Sequence, residues 1–464
     1  MTETLKTYSP IDGSLYVQRD YADIGQINAA LQLAHTAQKN WKSIPLQQRK
    51  KLCSKAIKAF VARKGEIAEE LCWQMGRPIR YAEGEVVSFA DRSNYMISIA
   101  DDALAPVTLN DKTGFDRYIK REPVGVVLVV APWNYPLHTP INAIIPALLA
   151  GNAVILKHSS QTPLCAERIV EAFECVGFPE GVIQYLHMDH TNTEVLIKSK
   201  EISGVAFTGS VAAGSKIEKA AAGRFIGVGL ELGGKDPAYV RSDADLDYAV
   251  ESTVDGAFFN SGQSCCGIER VYVHESIYDE YVSKFVAQVK QYKLGRSDDP
   301  GTTLGPLVRD SAAEFVRSQI LDAMKQGAIP QVDPYSFSLN KKGTAYMAPQ
   351  VLTNVNHNMR VMTEESFGPV VGIMKVSSDE EAVHLMNDSE FGLSAAIFSA
   401  DIDKAIELGE KIETGTFFVN RCDFLDPELA WTGVKNTGRG CTLSSEGFNA
   451  FTRLKSFHIK TKLS

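Results

Sequence analysis

A chain of 464 residues with 44% hydrophobic and 22% charged residues has the composition of folded globular domains, which excludes wholesale disorder. At roughly 150 residues per domain it is long enough for about three domains. Its formal net charge of −8 lacks the basic footprint of nucleic-acid binding, so no nucleic-acid partner is expected.

The chain opens MTETLKTYSPIDG, with neither the apolar core of a secretory signal nor the Arg-rich pattern of a transit peptide. A cytoplasmic location is therefore expected. Residues 23–105 are predicted to be mostly helical. Apolar positions recur at three- and four-residue spacing over 23–42 and 46–75, broken at Pro45 and at Gly76 and Pro78. Residues 115–122 are predicted to be extended. Residues 124–131 (VGVVLVVA) form a continuous apolar run that fits a strand buried on both faces. The most apolar stretch, 141–156, is interrupted by Asn142, Pro146, Gly151 and Asn152, too broken to span a bilayer, so no membrane partner is expected.

From there strand and helix signals alternate. Strands are predicted at 153–156, 182–187, 204–207 and 225–232, with helices at 162–175, 193–199 and 210–222 between them. Alternation at this spacing argues an α/β sheet with right-handed crossovers. A second α/β series begins near Asp236. It has helices at 244–259, 276–292, 379–387 and 402–412, and strands at 268–275, 370–376, 393–399 and 415–420. Residues 451–462 alternate apolar and polar, like an edge strand or a solvated tail.

Several familiar motifs fail. Gly227-x-Gly229 follows a strand, but Leu232 stands where a Rossmann fingerprint needs its third glycine. Gly229-x4-Gly234-Lys235 continues into Asp236 rather than the Ser/Thr of a Walker A loop. No GxSxG elbow, CxxC pair or HExxH helix is present, so no metal site is expected. The eight cysteines, Cys53, Cys72, Cys165, Cys175, Cys265, Cys266, Cys422 and Cys441, are too sparse for a disulfide framework. At 207–210 (FTGS) an apolar strand runs into Gly209 and a helix opened by Ser210, either a phosphate cradle or an ordinary helix cap.

Three further segments change the reading when taken together: Pro132-Trp133-Asn134 after the buried run, Glu231-Leu232-Gly233-Gly234-Lys235 after another strand, and 259–266 (FNSGQSCC). With Lys157 after a strand, FTGS, and 364–369 (EESFGP), the chain resembles the aldehyde dehydrogenase superfamily from about Ser9 to its last residues. The resemblance implies an α/β fold: a Rossmann-like cofactor domain, an α/β catalytic domain and a β oligomerisation arm. It places the NAD(P)-binding domain at 1–110 and 124–233, the catalytic domain at 234–436, and the arm at 111–123 and 437–464. A homodimer or homotetramer is expected.

The implied chemistry is oxidation of an aldehyde to a carboxylate with NAD(P)+. A thiol suits it, because a thiolate attacks the carbonyl and its thioester is later hydrolysable. Cys265, two places after Gln263, matches the family's nucleophile. Asn134, with the Cys265 backbone N–H, matches the oxyanion donor that the attack requires. Glu231 matches the general base that activates water against the thioester. For the cofactor, Lys157 resembles the lysine that reaches the adenosine ribose or its phosphate, Ser210 the pyrophosphate contact, and Glu365 and Phe367 the pair that holds the nicotinamide ribose and ring. Trp133, Gly209 and Leu232 belong to the same implied set.

The departures carry information too. Ser160 stands where many NAD-preferring members carry Glu. A serine can donate to a 2′-phosphate that a carboxylate would repel, so NADP is expected to be accepted alongside NAD, with a preference for NADP as the sharper expectation. The usual FGGxKxSG segment reads WTGVKNTG at 431–438, which leaves substrate identity open. A semialdehyde such as succinic semialdehyde is one reading, with Arg421 either pairing with its distal carboxylate or lying on the surface. A broad-specificity aldehyde dehydrogenase and a thiol esterase or acyl-transfer enzyme using Cys265 are the alternatives. No role follows for Cys266, Cys422 or Cys441, and the remaining four cysteines read as packing or surface thiols on helices.

Overall fold

The computed structural model of the chain describes residues 4–462. Residues 1–3 and 463–464 of the expected domains lie outside the described residues. The chain begins with a hairpin absent from the sequence-based expectation, β1 (Thr4–Tyr8) against β2 (Leu15–Asp20). Helices α1 (Ile24–Trp41), α2 (Leu46–Val61), α3 (Lys64–Met75) and α4 (Ile79–Ala103) follow. Asp23 and Gln26 form a reciprocal capping box on α1. The helix expected over 46–75 is two. Arg63 leaves helical geometry at φ −103°, ψ 18°, and its guanidinium ties Glu66 to Glu171 of a later helix. Gly76 ends α3 at φ +84°, a left-handed conformation that glycine adopts without steric cost.

Next come β3 (Val107–Thr108), β4 (Phe115–Pro123), β5 (Val126–Val130), α5 (His138–Ala150), β6 (Ala153–Lys157), α6 (Pro163–Glu174), β7 (Ile183–Tyr185), α7 (His190–Lys198), β8 (Ile202–Thr208), α8 (Val211–Ala221) and β9 (Gly227–Glu231). The apolar stretch 141–156 is thus most of a helix and then a strand, parted by Gly151 at φ +98°. No helix among the described residues is long and apolar enough to cross a membrane.

The second series is β10 (Asp236–Val240), α9 (Leu246–Phe258), β11 (Ile268–His274), α10 (Tyr278–Val289), α11 (Asp310–Lys325), β12 (Ile329–Pro330), β13 (Gln350–Thr353), α12 (Arg360–Thr363), β14 (Val370–Val376), α13 (Asp379–Asn387), β15 (Phe391–Gly392), β16 (Ser394–Phe398), α14 (Ile402–Gly409), β17 (Thr416–Val419), β18 (Val434–Lys435), β19 (Gly438–Arg439) and β20 (Thr452–Lys460). Of these, β10, α11, β12, β13, α12, β15, β18 and β19 are not among the sequence-predicted elements.

Three sheets organise the fold. A six-stranded sheet runs β19-β9-β8-β5-β6-β7, parallel except at β19. A seven-stranded sheet runs β12-β13-β14-β11-β10-β16-β17, parallel except at β12. Each sheet is covered by apolar clusters on both faces, which is why β5 is buried at every residue. The third sheet is antiparallel, β20-β4-β3, with β20 paired to β4 over nine residues from Thr452↔Pro123 to Lys460↔Phe115. Of the stretch expected as an arm, 437–464, this sheet takes β20, while Gly438–Arg439 pairs with β9 and Phe448 and Phe451 belong to the first core. Its third strand, β3, lies inside the stretch expected as 1–110.

The parallel strands aim their ends at one place. Residues 132–134 follow β5, 209–210 follow β8 and 232–233 follow β9. From the other sheet, Cys265 precedes β11 and Glu365–Phe367 precede β14. Ligand sites in open α/β sheets lie beyond the carboxyl ends of their strands.

Candidate active site

Between those strand ends lies a cavity of about 420 Å³. Trp133, Asn134 and Cys265 line it, as do Gly209, Ser210, Leu232, Glu365 and Phe367. The turn that presents Cys265 is tightly wound, with Asn260 (φ +52°), Ser261 (φ +58°) and Gly262 (φ +70°) all left-handed. A Cβ on Gly262 would stand 2.3 Å from the Gly368 carbonyl oxygen, so no other residue fits there. Gln263 is buried and locks the turn: its Nε2 donates to Asn260 O at 3.1 Å and its Oε1 accepts from Val308 N at 2.8 Å. Asn134 Nδ2 donates to Gln263 O at 3.2 Å, which ties the Asn134 amide to the backbone two residues before Cys265.

An ion pair buried on both sides, Arg77 with Glu85, supports Asn134 from below. Arg77 Nη2 donates to Asn134 O at 2.7 Å, and Glu85 Oε1 accepts the Leu137 N–H at 2.9 Å. A second buried pair supports the opposite wall. Lys235 meets Glu269, whose carboxylate accepts the N–H groups of Ser366 and Phe367 at 2.8 Å each. That fixes Phe367 at φ +53° with its ring edge-on to Trp133, centroids 5.5 Å apart. Glu365 lies against Gly233, where a Cβ would come within 2.3 Å of its carboxylate, and accepts the Gly234 N–H at 3.1 Å. Burial pushes its carboxyl up to about 8.

Glu231 is not turned toward Cys265. It ends β9 in an adjoining chamber of about 220 Å³, walled by Cys441 and Thr442 and sharing Thr139 and Thr208 with the Cys265 cavity. Its carboxylate accepts from Thr208 Oγ1 at 3.0 Å and Thr442 Oγ1 at 2.5 Å. Burial raises its pKa, while the two hydroxyls and the Arg92 charge pull it down.

The cofactor set divides as well. Ser210 caps α8 and accepts from Ala213 N at 3.3 Å. Lys157 and Ser160 stand at and beyond the end of the neighbouring strand β6, outside the cavity lining. Ser160 is exposed. Lys157 is 8% exposed, has no hydrogen bond or ion pair among the described residues, and is pushed down to about 8 by burial. A buried ammonium without acceptors fits a dinucleotide that brings its own oxygens.

A sequence profile described as "Aldehyde dehydrogenase family" matches residues 1–457. The chain belongs to the aldehyde dehydrogenase family. It is 33% identical to the succinate-semialdehyde dehydrogenase [NADP(+)] of Deinococcus radiodurans over 449 residues, 97% of this chain and 93% of the relative. It is also 33% identical to the succinate semialdehyde dehydrogenase [NAD(P)+] Sad of Escherichia coli K12, over 98% of this chain and 99% of the relative. Among solved structures it superposes on the NADP-dependent glyceraldehyde-3-phosphate dehydrogenase of Bacillus halodurans C-125 complexed with NADP, with a TM-score of 0.93, 33% identity and coverage of 99% and 96% of the two chains. The protein is an NAD(P)-dependent oxidoreductase that oxidises an aldehyde.

In this aldehyde dehydrogenase all eight cysteines are free thiols. Cys266 is buried and donates to Asp423 Oδ1 at 3.0 Å, as does Ser264 Oγ. Burial pushes the Asp423 carboxyl up to about 6. Cys422 donates to Ser252 O at 3.3 Å. Arg421 is outside the lining of the Cys265 cavity and exposed, with its guanidinium 3.5 Å from the centroid of the exposed Phe424 ring.

Sequence reasoning missed Arg77, Glu85, Arg92, Glu269, Asp423, Thr442 and the α11 residues Ser311, Ala312 and Phe315 that complete the cavity. A signal for two of them was available. Glu85 and Arg92 lie on the buried stripe of α4 with Ala82, Val86, Phe89 and Met96, and charged residues on an apolar stripe call for a reason. The others act through tertiary contacts that no local pattern encodes.

Proposed function

We propose that this enzyme oxidises an anionic semialdehyde, succinic semialdehyde being the model substrate, and prefers NADP. The observation that carries the chemistry is the shared cavity of Cys265, Asn134 and the Glu365–Phe367 wall. The substrate assignment is supported by the named activity of the relatives from Deinococcus radiodurans and Escherichia coli, and the NADP preference by Ser160 together with the unpartnered Lys157.

In this reading Cys265 Sγ adds to the aldehyde carbon. Asn134 Nδ2 has two hydrogens, one committed to Gln263 O and the other free for the developing oxyanion, with the Cys265 N–H as its mate. NAD(P)+, when bound, supplies the hydride acceptor. Lys157, Ser160, Gly209 and Ser210 hold its adenosine and phosphates, and Trp133, Leu232, Glu365 and Phe367 its nicotinamide half. The cysteine is left as a thioester, which water cleaves to release the carboxylate and the Cys265 thiol. Glu231 is the base for that water, and it must first exchange its Thr208 and Thr442 hydrogen bonds for the water. We assign the six-stranded sheet to cofactor binding, the seven-stranded sheet to the cysteine, and the β20-β4-β3 sheet to pairing of subunits in a cytoplasmic homo-oligomer.

The deciding experiment is steady-state turnover of succinic semialdehyde, glutaric semialdehyde, butyraldehyde and benzaldehyde with each dinucleotide. The expected outcome is highest kcat/KM for a semialdehyde with NADP. Higher kcat/KM for a neutral aldehyde overturns the substrate reading, and higher kcat/KM with NAD overturns the cofactor preference.

A further inference from the structure

The loop that follows β17 reaches back to the turn that presents Cys265. Asp423 Oδ1 accepts from Ser264 Oγ and from Cys266 Sγ, each at 3.0 Å. These are the residues on either side of Cys265, and both are buried. One oxygen therefore holds both flanks of the reacting cysteine. The two donors also meet each other, with Ser264 Oγ 3.6 Å from Cys266 Sγ.

The anchor is itself firmly held. Asn420 (φ +55°) and Asp423 (φ +46°) are both left-handed, a conformation that Asn and Asp tolerate better than other side chains. Asn420 is paired with Ser399: its Oδ1 accepts the Ser399 N–H and its Nδ2 donates to the Ser399 carbonyl, both at 2.9 Å. Between them Cys422 donates to Ser252 O on α9. The loop can lie that close to α9 because residue 256 is glycine, where a Cβ would stand 2.6 Å from Cys422 Sγ. At the other end, the backbone around Cys265 is pinned on both sides. Asn134 Nδ2 and Asn260 Nδ2 each donate to Gln263 O at 3.2 Å. The Gly267 N–H donates to Ser264 O at 3.2 Å, and a Cβ on Gly234 would stand 2.3 Å from Cys265 O. The Cys265 N–H alone meets no acceptor among the described residues.

We propose that Asp423 is a positioning residue of the reaction: by holding Ser264 and Cys266 on one oxygen, it keeps the Cys265 thiol and N–H aligned with Asn134 for attack and for the developing oxyanion. This rests on the reading above that Cys265 is the nucleophile. Oxyanion donors act only when fixed in advance where the charge will develop, and a misplacement of about 1 Å can cost about a hundredfold in rate. What the turn takes from Asp423 is an acceptor oxygen. Its negative charge is no help to the chemistry, because a carboxylate near the thiol opposes thiolate formation. The side-chain amide of asparagine offers the same acceptor without the charge.

The test is single-turnover formation of NADPH from succinic semialdehyde and from butyraldehyde, with NADP saturating and enzyme in saturating excess over aldehyde. Under those conditions an unfolded fraction of enzyme does not alter the rate constant, so a merely structural role leaves it unmoved. Asp423→Ala should lower the rate constant at least about tenfold for both aldehydes, with the Kd for NADP unchanged. Asp423→Asn should restore most of it. A wild-type rate constant in Asp423→Ala overturns the proposal. So does an equal loss in Asp423→Ala and Asp423→Asn, which would assign the effect to the charge. Should Asp423→Ala fail to fold, the double variant Ser264→Ala/Cys266→Ala removes the two donors and leaves Asp423 in place. It should slow hydride transfer as Asp423→Ala would, and an unchanged rate constant overturns the proposal. Cys265→Ala separates the two readings. Turnover that survives in it overturns the nucleophile assignment and the proposal with it. An inactive Cys265→Ala beside a full-rate Asp423→Ala overturns the positioning role alone.

Discussion

Helix α4 carries two charged side chains into the core, and they are treated in opposite ways. Near its start Glu85 meets Arg77, and the pair also holds backbone around Asn134 and, through Arg77 Nε, Asn260 Oδ1 at 3.3 Å. Two turns later Arg92 meets nothing. The contrast repeats across the site: Lys235 is paired with Glu269 and steadies the Ser366–Phe367 backbone, while Lys157 at the end of β6 is unpaired. Paired buried ions here act as scaffolding for backbone that must not move. Unpaired ones have no such partner, and a buried charge left uncompensated is a cost to the fold.

That division can be broken experimentally. The largest effect is expected from Glu85→Ala, which strands Arg77 in the core. Losing one partner of a buried pair costs roughly 3–5 kcal/mol, so chemical denaturation should show a large drop in stability, and single-turnover kinetics should show slowed hydride transfer as Asn134 shifts. Lys235→Met leaves Glu269 uncompensated and should cost about as much by the same argument. Adding Glu269→Gln to it should recover part of the loss, and a double variant no more stable than the single one would show that the pair is not the scaffold.

The unpaired lysine sharpens the comparison in the other direction. Lys157 titrates near 8 when unliganded, below its unfolded value, so the folded chain binds fewer protons than the unfolded one. Stability should therefore rise with pH from about 8 toward the free-lysine value. A bound phosphate favours the charged form, so NADP affinity should weaken above pH 8, by at most about tenfold per unit. NAD, without the 2′-phosphate, should weaken less. Fluorescence titration of both dinucleotides between pH 7 and 9 measures this, and parallel curves would remove Lys157 from 2′-phosphate recognition. The smallest effect belongs to Arg421→Ala. Its loss of surface stacking should stay within about 0.5 kcal/mol and leave the ratio of succinic semialdehyde to butyraldehyde turnover unchanged.

The sequence-based reading reached the alternating elements well because continuous apolar runs such as 126–130 can only be doubly covered strands. It located Cys265, Asn134, Glu365 and Phe367, whose motifs sit at strand ends and converge on one cavity. It could not see that Glu231 rests against Thr442, because those two residues meet only through the pairing of β19 with β9. Arg92 was legible only as a charge on the apolar stripe of α4; that it has no partner there follows from tertiary contacts alone. For Arg421 the sequence left a surface position and a carboxylate partner both open, and the structure has it exposed beside Phe424.

The pairing of β20 with β4 has a consequence for how the protein is made. Asn152 Nδ2 donates to the carbonyl of Phe451, 299 residues later, and Phe448 and Phe451 complete the apolar cluster around α2, α5 and α6. At about 5–20 residues per second, the ribosome leaves this half of the molecule without its closing segment for roughly 15 to 60 s. During that interval β4 waits with an unpaired edge, so the nascent chain, rather than the finished enzyme, is the form most exposed to aggregation and most dependent on chaperones.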